Sequence, residues 1–211
     1  MAYDRRGYRA SRGVPVAAGI DAQVDDLADV VALLDAPPDV VLGHSAGGVI
    51  ALSAAARGMT EGAAVIAYEP PIPWLRDDPH PTAGELSEDA ELEAERFFRR
   101  MVSHRSWERL DDARRRDILA DGPALLEDLR VVRGPSCFDA ADIDAVVTIA
   151  IGAKAEQRHR VSAQRFVAEL RRGRLVEFDG AGHGAHLTHP DQLAALVVAA
   201  LGARAEPEAP A

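Results

Sequence analysis

The chain has 211 residues, 47% of them apolar, and carries a formal net charge of −10 at pH 7. That size and apolar share suit one globular domain with room for an inserted subdomain, and the negative balance disfavours nucleic acid and anionic membrane surfaces as partners. One cysteine, Cys137, excludes a disulfide within the chain. No apolar run is long enough to span a bilayer and no leader-like segment is evident, so a cytoplasmic setting without membrane partners is expected.

In chain order, the first clear element is a helix over residues 21 to 35. Ile20, Val24, Leu27, Val30, Val31 and Leu34 recur at helical spacing, while Asp21, Asp25, Asp26 and Asp29 fill the other face. Pro37-Pro38-Asp39 ends it and leads into the apolar strand Val40-Val41-Leu42. Next come Gly43-His44-Ser45-Ala46-Gly47 and a small-residue helix over 48–57. Ala63–Ala67 is a second strand, ending in Tyr68-Glu69-Pro70-Pro71. Residues 72 to 88 are rich in proline and acids and read as a loop, and 88–132 read as helices. Their apolar faces are Leu92, Phe97, Phe98, Met101 and Val102, then Leu110, Ile118 and Leu119, then Leu125, Leu126 and Leu129. Arg114-Arg115-Arg116 reads as a solvated face. Val146–Ile151 and Arg174–Phe178 are two further strands, and Leu193–Leu201 is a closing apolar helix. Strands alternating with helices predict an α/β fold with a mostly parallel sheet flanked by helices.

The stretch that carries chemistry is Gly43–Gly47. A serine on a sharp strand-to-helix turn is forced out at the carboxyl end of a sheet. Gly43 and Gly47 are expected where a side chain would collide with the neighbouring strand and helix. The Ala46 N–H then points where an oxyanion would form, backed by the positive end of the helix. A serine needs a base, and the base needs an orienting acid. His183 lies in the glycine-rich loop Asp179–Leu187 just past the last strand, well placed to swing over Ser45. His183, His186 and His189 also repeat every third residue, but no second cluster of Cys or carboxylates accompanies them, so no metal is expected. Cys137 has no adjacent histidine and reads as a packing or loop residue. No dinucleotide fingerprint or phosphate-binding loop is present, so no cofactor is expected. Abundant Ala and Arg with very few lysines fits a bacterial coding sequence.

Gly43-His44-Ser45-Ala46-Gly47-Gly48, Gly182-His183 followed by Pro190, and Asp4-Arg5-Arg6-Gly7 together resemble the α/β-hydrolase fold family, of the esterase and cofactor-free haloperoxidase type. The resemblance implies that Ser45 is the nucleophile, His183 the general base and Ala46 N–H an oxyanion donor. It implies hydrolysis of a small carboxylic ester or thioester, with cofactor-free haloperoxidase or perhydrolase chemistry on the same triad as the alternative. Most relatives place the acid in a Gly-x-x-Asp loop after the next-to-last strand, but Gly152-Ala153-Lys154-Ala155-Glu156 has Ala155 at that position. Glu156 is one residue late. Glu69, at the end of the strand after the nucleophile helix, faces the same crevice and is preferred, with Glu156 as the alternative acid.

By the same resemblance, residues 1–71 and 140–205 form the hydrolase core, 72–139 a small helical cap, and 206–211 a disordered tail. His44, Trp74, Phe97, Phe98, Met101 and Trp107 are candidates for the substrate pocket, and the aromatic residues among them serve equally as glue between cap and core. Asp4–Tyr8 resembles the loop after the fourth strand of the fold, so the chain reads as N-terminally shortened, without the first strands and their His-Gly oxyanion loop. Four strands are expected where the fold has about eight. The Val40–Leu42 edge is then expected to lack a neighbour, making a homodimer one expected state. Loss of one oxyanion donor predicts impaired turnover, and a catalytically impaired remnant acting as a binding or dimerising module is a further alternative.

Overall fold

A computed structural model describes residues 1–75 and 86–204. The chain divides into two compact units, Met1–Asp26 with Pro79–Pro135, and Leu27–Asp78 with Ser136–Ala211. Helix α1 (Gly19–Ala32) runs from the first into the second. The expected tail 206–211 and most of the loop assigned to 72–88 lie outside the described residues; Pro73–Leu75 form one 3-10 turn.

The second unit is built on a four-stranded sheet in the order β1-β2-β3-β4, comprising β1 (Val40–His44), β2 (Ala64–Tyr68), β3 (Val147–Gly152) and β4 (Gly173–Phe178). All three pairings are parallel. The expected strands agree with these to within two residues at either end. Side chains alternate across a pleated strand, so each strand serves two layers. On one face Val41, Val65, Ala67, Val147, Ile149 and Ile151 pack with Ala51 and Leu52 of α2 (Ala46–Ala56) and Phe166 of α7 (Gln157–Glu169). On the other, Ala64, Ile66, Tyr68, Ala150 and Phe178 pack with Leu196 and Ala200 of α9 (Pro190–Arg204). Strands covered on both faces read as continuous apolar runs, which is why Ala64–Tyr68 and Val147–Gly152 are buried at every position. Helix α2 is buried from Gly48 to Ala55, as its lack of a polar side requires.

Parallel pairing also aligns the strand ends. His44, Tyr68 and Ala150 stand side by side in register, with Gly152 opposite Phe178 two residues further on. The turns leaving β1, β2 and β3 therefore open along one edge, together with the loop that follows β4.

The first unit contains α3 (Ala90–Met101), α4 (His104–Glu108), α5 (Asp112–Ala120) and α6 (Gly122–Arg133). Four helices stand where the sequence shows three apolar faces; Leu110 sits in the connection after the short α4. Asp89, Ser103 and Asp111 cap three of them, accepting hydrogen bonds from Leu92, Ser106 and Arg114 N–H groups. Leu86, Leu126 and Leu129 form its core, with Phe97, Ala90 and Leu125 against them.

Residues 1–26 group with these helices, while the sequence reading places them in the hydrolase core. A largely buried polar network links them to α5 and α6. The Arg5 guanidinium forms a two-pronged pair with Asp128 on α6, at 2.7 and 2.5 Å. Asp128 also accepts from the Tyr8 hydroxyl at 2.6 Å and from Gln23 at 3.3 Å. Arg12 bridges Asp117 and Asp121. Removing one member of a buried pair strands the other charge away from water. Asp128→Ala should therefore lower the unfolding free energy by about 3 kcal/mol, and Asp128→Asn by less, in urea unfolding followed by circular dichroism.

Candidate active site

Ser45 lies between β1 and α2, with φ 53° and ψ −124°, a conformation that L-residues rarely adopt. The sharp turn is held by its own amide, which donates to the Tyr68 carbonyl at 2.9 Å. Its hydroxyl makes no capping bond to the helix. Gly43 is essential to this turn: a Cβ there would stand 2.1 Å from the Gly47 carbonyl oxygen. Gly47 is different. A Cβ on it meets nothing within 4 Å, so the expected collision at this position does not occur. The second close approach belongs to Gly48, where a Cβ would lie 3.1 Å from Pro70 and 3.3 Å from Ala67 side chains. Ala46 opens α2, so its N–H has no acceptor within the helix and is available at the turn.

Glu69 follows the last residue of β2 and also has a positive φ, 43°. Only three non-glycine residues among those described do so, and Ser45 and Glu69 are two of them. Such strain persists only where the surroundings over-determine it, and it clusters at functional sites. The Glu69 amide is held by the Ala150 carbonyl at 2.8 Å. Its side chain is 4% exposed. One carboxylate oxygen accepts from Gly152 N–H at 2.9 Å, the other from His183 Nδ1 at 2.7 Å. Burial alone would push this carboxyl up; the hydrogen bonds from His183 and Gly152 outweigh it and hold it below its usual value. His159 on α7 adds a favourable field and is itself lowered, chiefly by burial.

A carboxylate can only accept, so His183 Nδ1 carries the proton of that bond and the neutral ring leaves Nε2 as a lone pair. This is the tautomer that a general base requires. Glu156, the other carboxylate considered, stands just before α7, 63% exposed and paired with Arg158.

Two residues join the site that the sequence pattern does not single out in this role. Tyr68 donates its hydroxyl to the Gly182 carbonyl at 2.7 Å. Burial pushes that hydroxyl up, so it remains a donor. His44, taken from the sequence as a pocket residue, makes a 2.7 Å bond from Nε2 to the His183 carbonyl. Burial, reinforced by the neighbouring His183, pushes His44 down to about 4, so it is neutral at physiological pH. The only sequence signal for these roles is their position: each is the last residue of a strand, directly before Ser45 and Glu69.

The remaining candidates lie in other surroundings. Trp74 packs edge-on against Phe138 beside the sheet core. In the helical unit, Trp107 is buried against Phe98, Phe97 joins the leucine core and Met101 ends α3 half-buried. His186, on the short α8 (Ala185–Thr188), sets its ring tilted against that of His44, and His189 contacts Thr188.

A sequence model of the alpha/beta hydrolase family matches residues 1–196. No curated protein matches the chain in sequence. Solved structures do match in fold. A hydrolase from Pseudomonas aeruginosa has a TM-score of 0.72 at 20% identity, covering 95% of this chain and 78% of its own. A bromoperoxidase from Bacillus anthracis gives 0.70 at 17% identity, over 95% and 80%. The type II thioesterase BorB of the borrelidin biosynthetic cluster gives 0.68 at 22% identity, over 95% and 80%. No described helix is long and apolar enough to cross a membrane.

The turn geometry separates two glycines that look alike in sequence. Gly43→Ala should cost about 3 kcal/mol or more, whereas Gly47→Ala should stay within about 1 kcal/mol of the parent, both by urea unfolding. Glu69 sets an acid limb of stability. Its folded carboxyl titrates below the unfolded value of about 4.3, so its contribution is present above that pH and is lost as pH falls through the folded value. Glu69→Gln should flatten this limb when unfolding free energy is followed downward from about pH 6.

Proposed function

Because the chain belongs to the alpha/beta hydrolase family, we propose that it is a serine hydrolase cleaving a small carboxylic ester or thioester through Ser45, His183 and Glu69. The observation that carries this reading is the 2.7 Å bond between His183 Nδ1 and buried Glu69. It supplies an oriented base of the right tautomer on the same sheet edge as the Ser45 turn.

In this mechanism His183 Nε2 takes the Ser45 proton as Oγ attacks the acyl carbon. The carbonyl π pair moves onto oxygen, where Ala46 N–H and the positive end of α2 meet it. Glu69 balances the imidazolium that forms. His183 then gives its proton to the leaving alcohol or thiol, and the C–O or C–S bond breaks. Water attacks the acyl-enzyme with His183 again as base, releasing acid and free Ser45.

A second reading keeps the same residues and replaces water with hydrogen peroxide, giving a peracid that oxidises bromide. The fold match to the Bacillus anthracis bromoperoxidase favours testing it, by bromination with acetate, peroxide and bromide.

Labelling with a fluorophosphonate probe tests the main reading. The wild type should label and Ser45→Ala should not; a folded wild type that stays unlabelled overturns it. With short acyl esters, Glu69→Gln should lower kcat by about 10³- to 10⁴-fold and Glu156→Gln should change it less than about twofold.

A further inference from the structure

Three successive carbonyl oxygens in the loop after β4 are each held by a donor from a different strand end. Lys154 N–H, past β3, donates to the Ala181 carbonyl at 2.9 Å. The Tyr68 hydroxyl, at the end of β2, donates to Gly182 at 2.7 Å. His44 Nε2, at the end of β1, donates to His183 at 2.7 Å. The loop could not lie this close if β3 ended in any other residue, because a Cβ on Gly152 would meet the Ala181 carbonyl oxygen at 2.4 Å and the Tyr68 hydroxyl at 2.9 Å.

The two side-chain donors are neighbours for a topological reason. His44 and Tyr68 are in register on adjacent parallel strands, with ring centroids 5.8 Å apart. Both stand on the face of the sheet that carries α9. Phe178 closes the row beside Tyr68, at 5.3 Å. Tyr68 holds both ends of the proposed dyad, since its carbonyl takes the Ser45 amide and its hydroxyl takes the loop of His183. Glycines at 180, 182 and 184 give that loop little stiffness of its own.

We infer that His44 and Tyr68 are positioning residues, which fix the backbone of residues 182 and 183 so that the His183 ring stays on Glu69. The inference rests on His183 being the base of the proposed hydrolase. The His44 ring also lies beside the His183 ring, with centroids 4.6 Å apart, but in this role His44 and Tyr68 act through the loop backbone. His44 acts through Nε2–H, so glutamine, whose amide nitrogen lies at a similar reach, is the conservative replacement and leucine the disabling one. Tyr68→Phe removes one oxygen and leaves the ring packing in place.

The test uses two independent readouts on folded protein, with folding checked by circular dichroism and the thermal midpoint. The first is the rate of fluorophosphonate labelling at Ser45. His44→Leu and Tyr68→Phe should each slow it by about ten- to a hundredfold, and His44→Gln should recover most of the loss seen in His44→Leu. The second is the downfield proton resonance of His183 Nδ1–H, assigned by its disappearance in Glu69→Gln. It should be sharp in the wild type and in His44→Gln, and broadened by solvent exchange in His44→Leu and Tyr68→Phe. An unchanged resonance with labelling within twofold of wild type in both disabling variants would overturn the inference. A wild type lacking the resonance at low temperature would do the same, since the loop would then not be held. If the wild type shows the resonance but does not label, the hydrolase reading fails, and the resonance in the variants still decides whether the clamp exists.

Discussion

A buried carboxylate is tolerable only when its lone pairs are occupied, and Glu69 is the point at which three separate segments meet to do so. Gly152 N–H comes from the end of β3, the His183 ring from the loop after β4, and Glu69 itself from the end of β2. Removing a carboxylate from water costs several kcal/mol unless hydrogen bonds replace the lost hydration. Of the two bonds that offset this cost, the one from His183 also fixes the histidine tautomer. Satisfying the buried carboxylate and orienting the imidazole are thus done by the same contact.

The parallel sheet makes that meeting geometrically cheap. With all strands in one direction, every strand end opens at the same edge, and ends that pair in register deliver adjacent side chains. An antiparallel arrangement would send alternate ends to opposite edges. The crossover helices needed between parallel strands also put the amino end of α2 directly behind Ser45. The same topology therefore supplies the sharp Ser45 turn and the positive end of a helix beside it.

Much of this arrangement is legible in the sequence because it rests on local rules. The two inner strands, β2 and β3, are near-continuous apolar runs, the pattern that strands buried on both faces show. Gly43-His44-Ser45-Ala46-Gly47 is readable because a serine turn between strand and helix tolerates so few residues. Gly47 marks the limit of that logic: the pattern pairs it with Gly43, yet only Gly43 faces a backbone atom. Other features depend on contacts distant in sequence. Within the unit that groups residues 1–26 with α3–α6, Arg5 pairs with Asp128 across 123 positions, and no periodicity encodes such a pair. Tyr68 reads as following the second strand and His44 as a pocket residue in the serine turn, and their bonds to residues 182 and 183 appear only once the loop after β4 is placed.

The contrast between Glu69 and Glu156 shows why a motif alone cannot assign an acid. Both follow a strand that ends at the same edge, and both have the reach of a glutamate. Glu156 comes after a turn that starts the next helix, so it faces solvent and pairs with Arg158. Glu69 comes at once after its strand, and the left-handed backbone at that residue keeps it from continuing the strand. The strain is held in place by the Ala150 carbonyl on its amide and by the carboxylate's bonds to Gly152 and His183. A residue held in an unfavourable conformation by its neighbours, buried, and hydrogen-bonded to an imidazole has a more specific role than one on a solvated helix start. The chemistry follows from where the strand stops, a property of the fold that the spacing of acidic residues does not record.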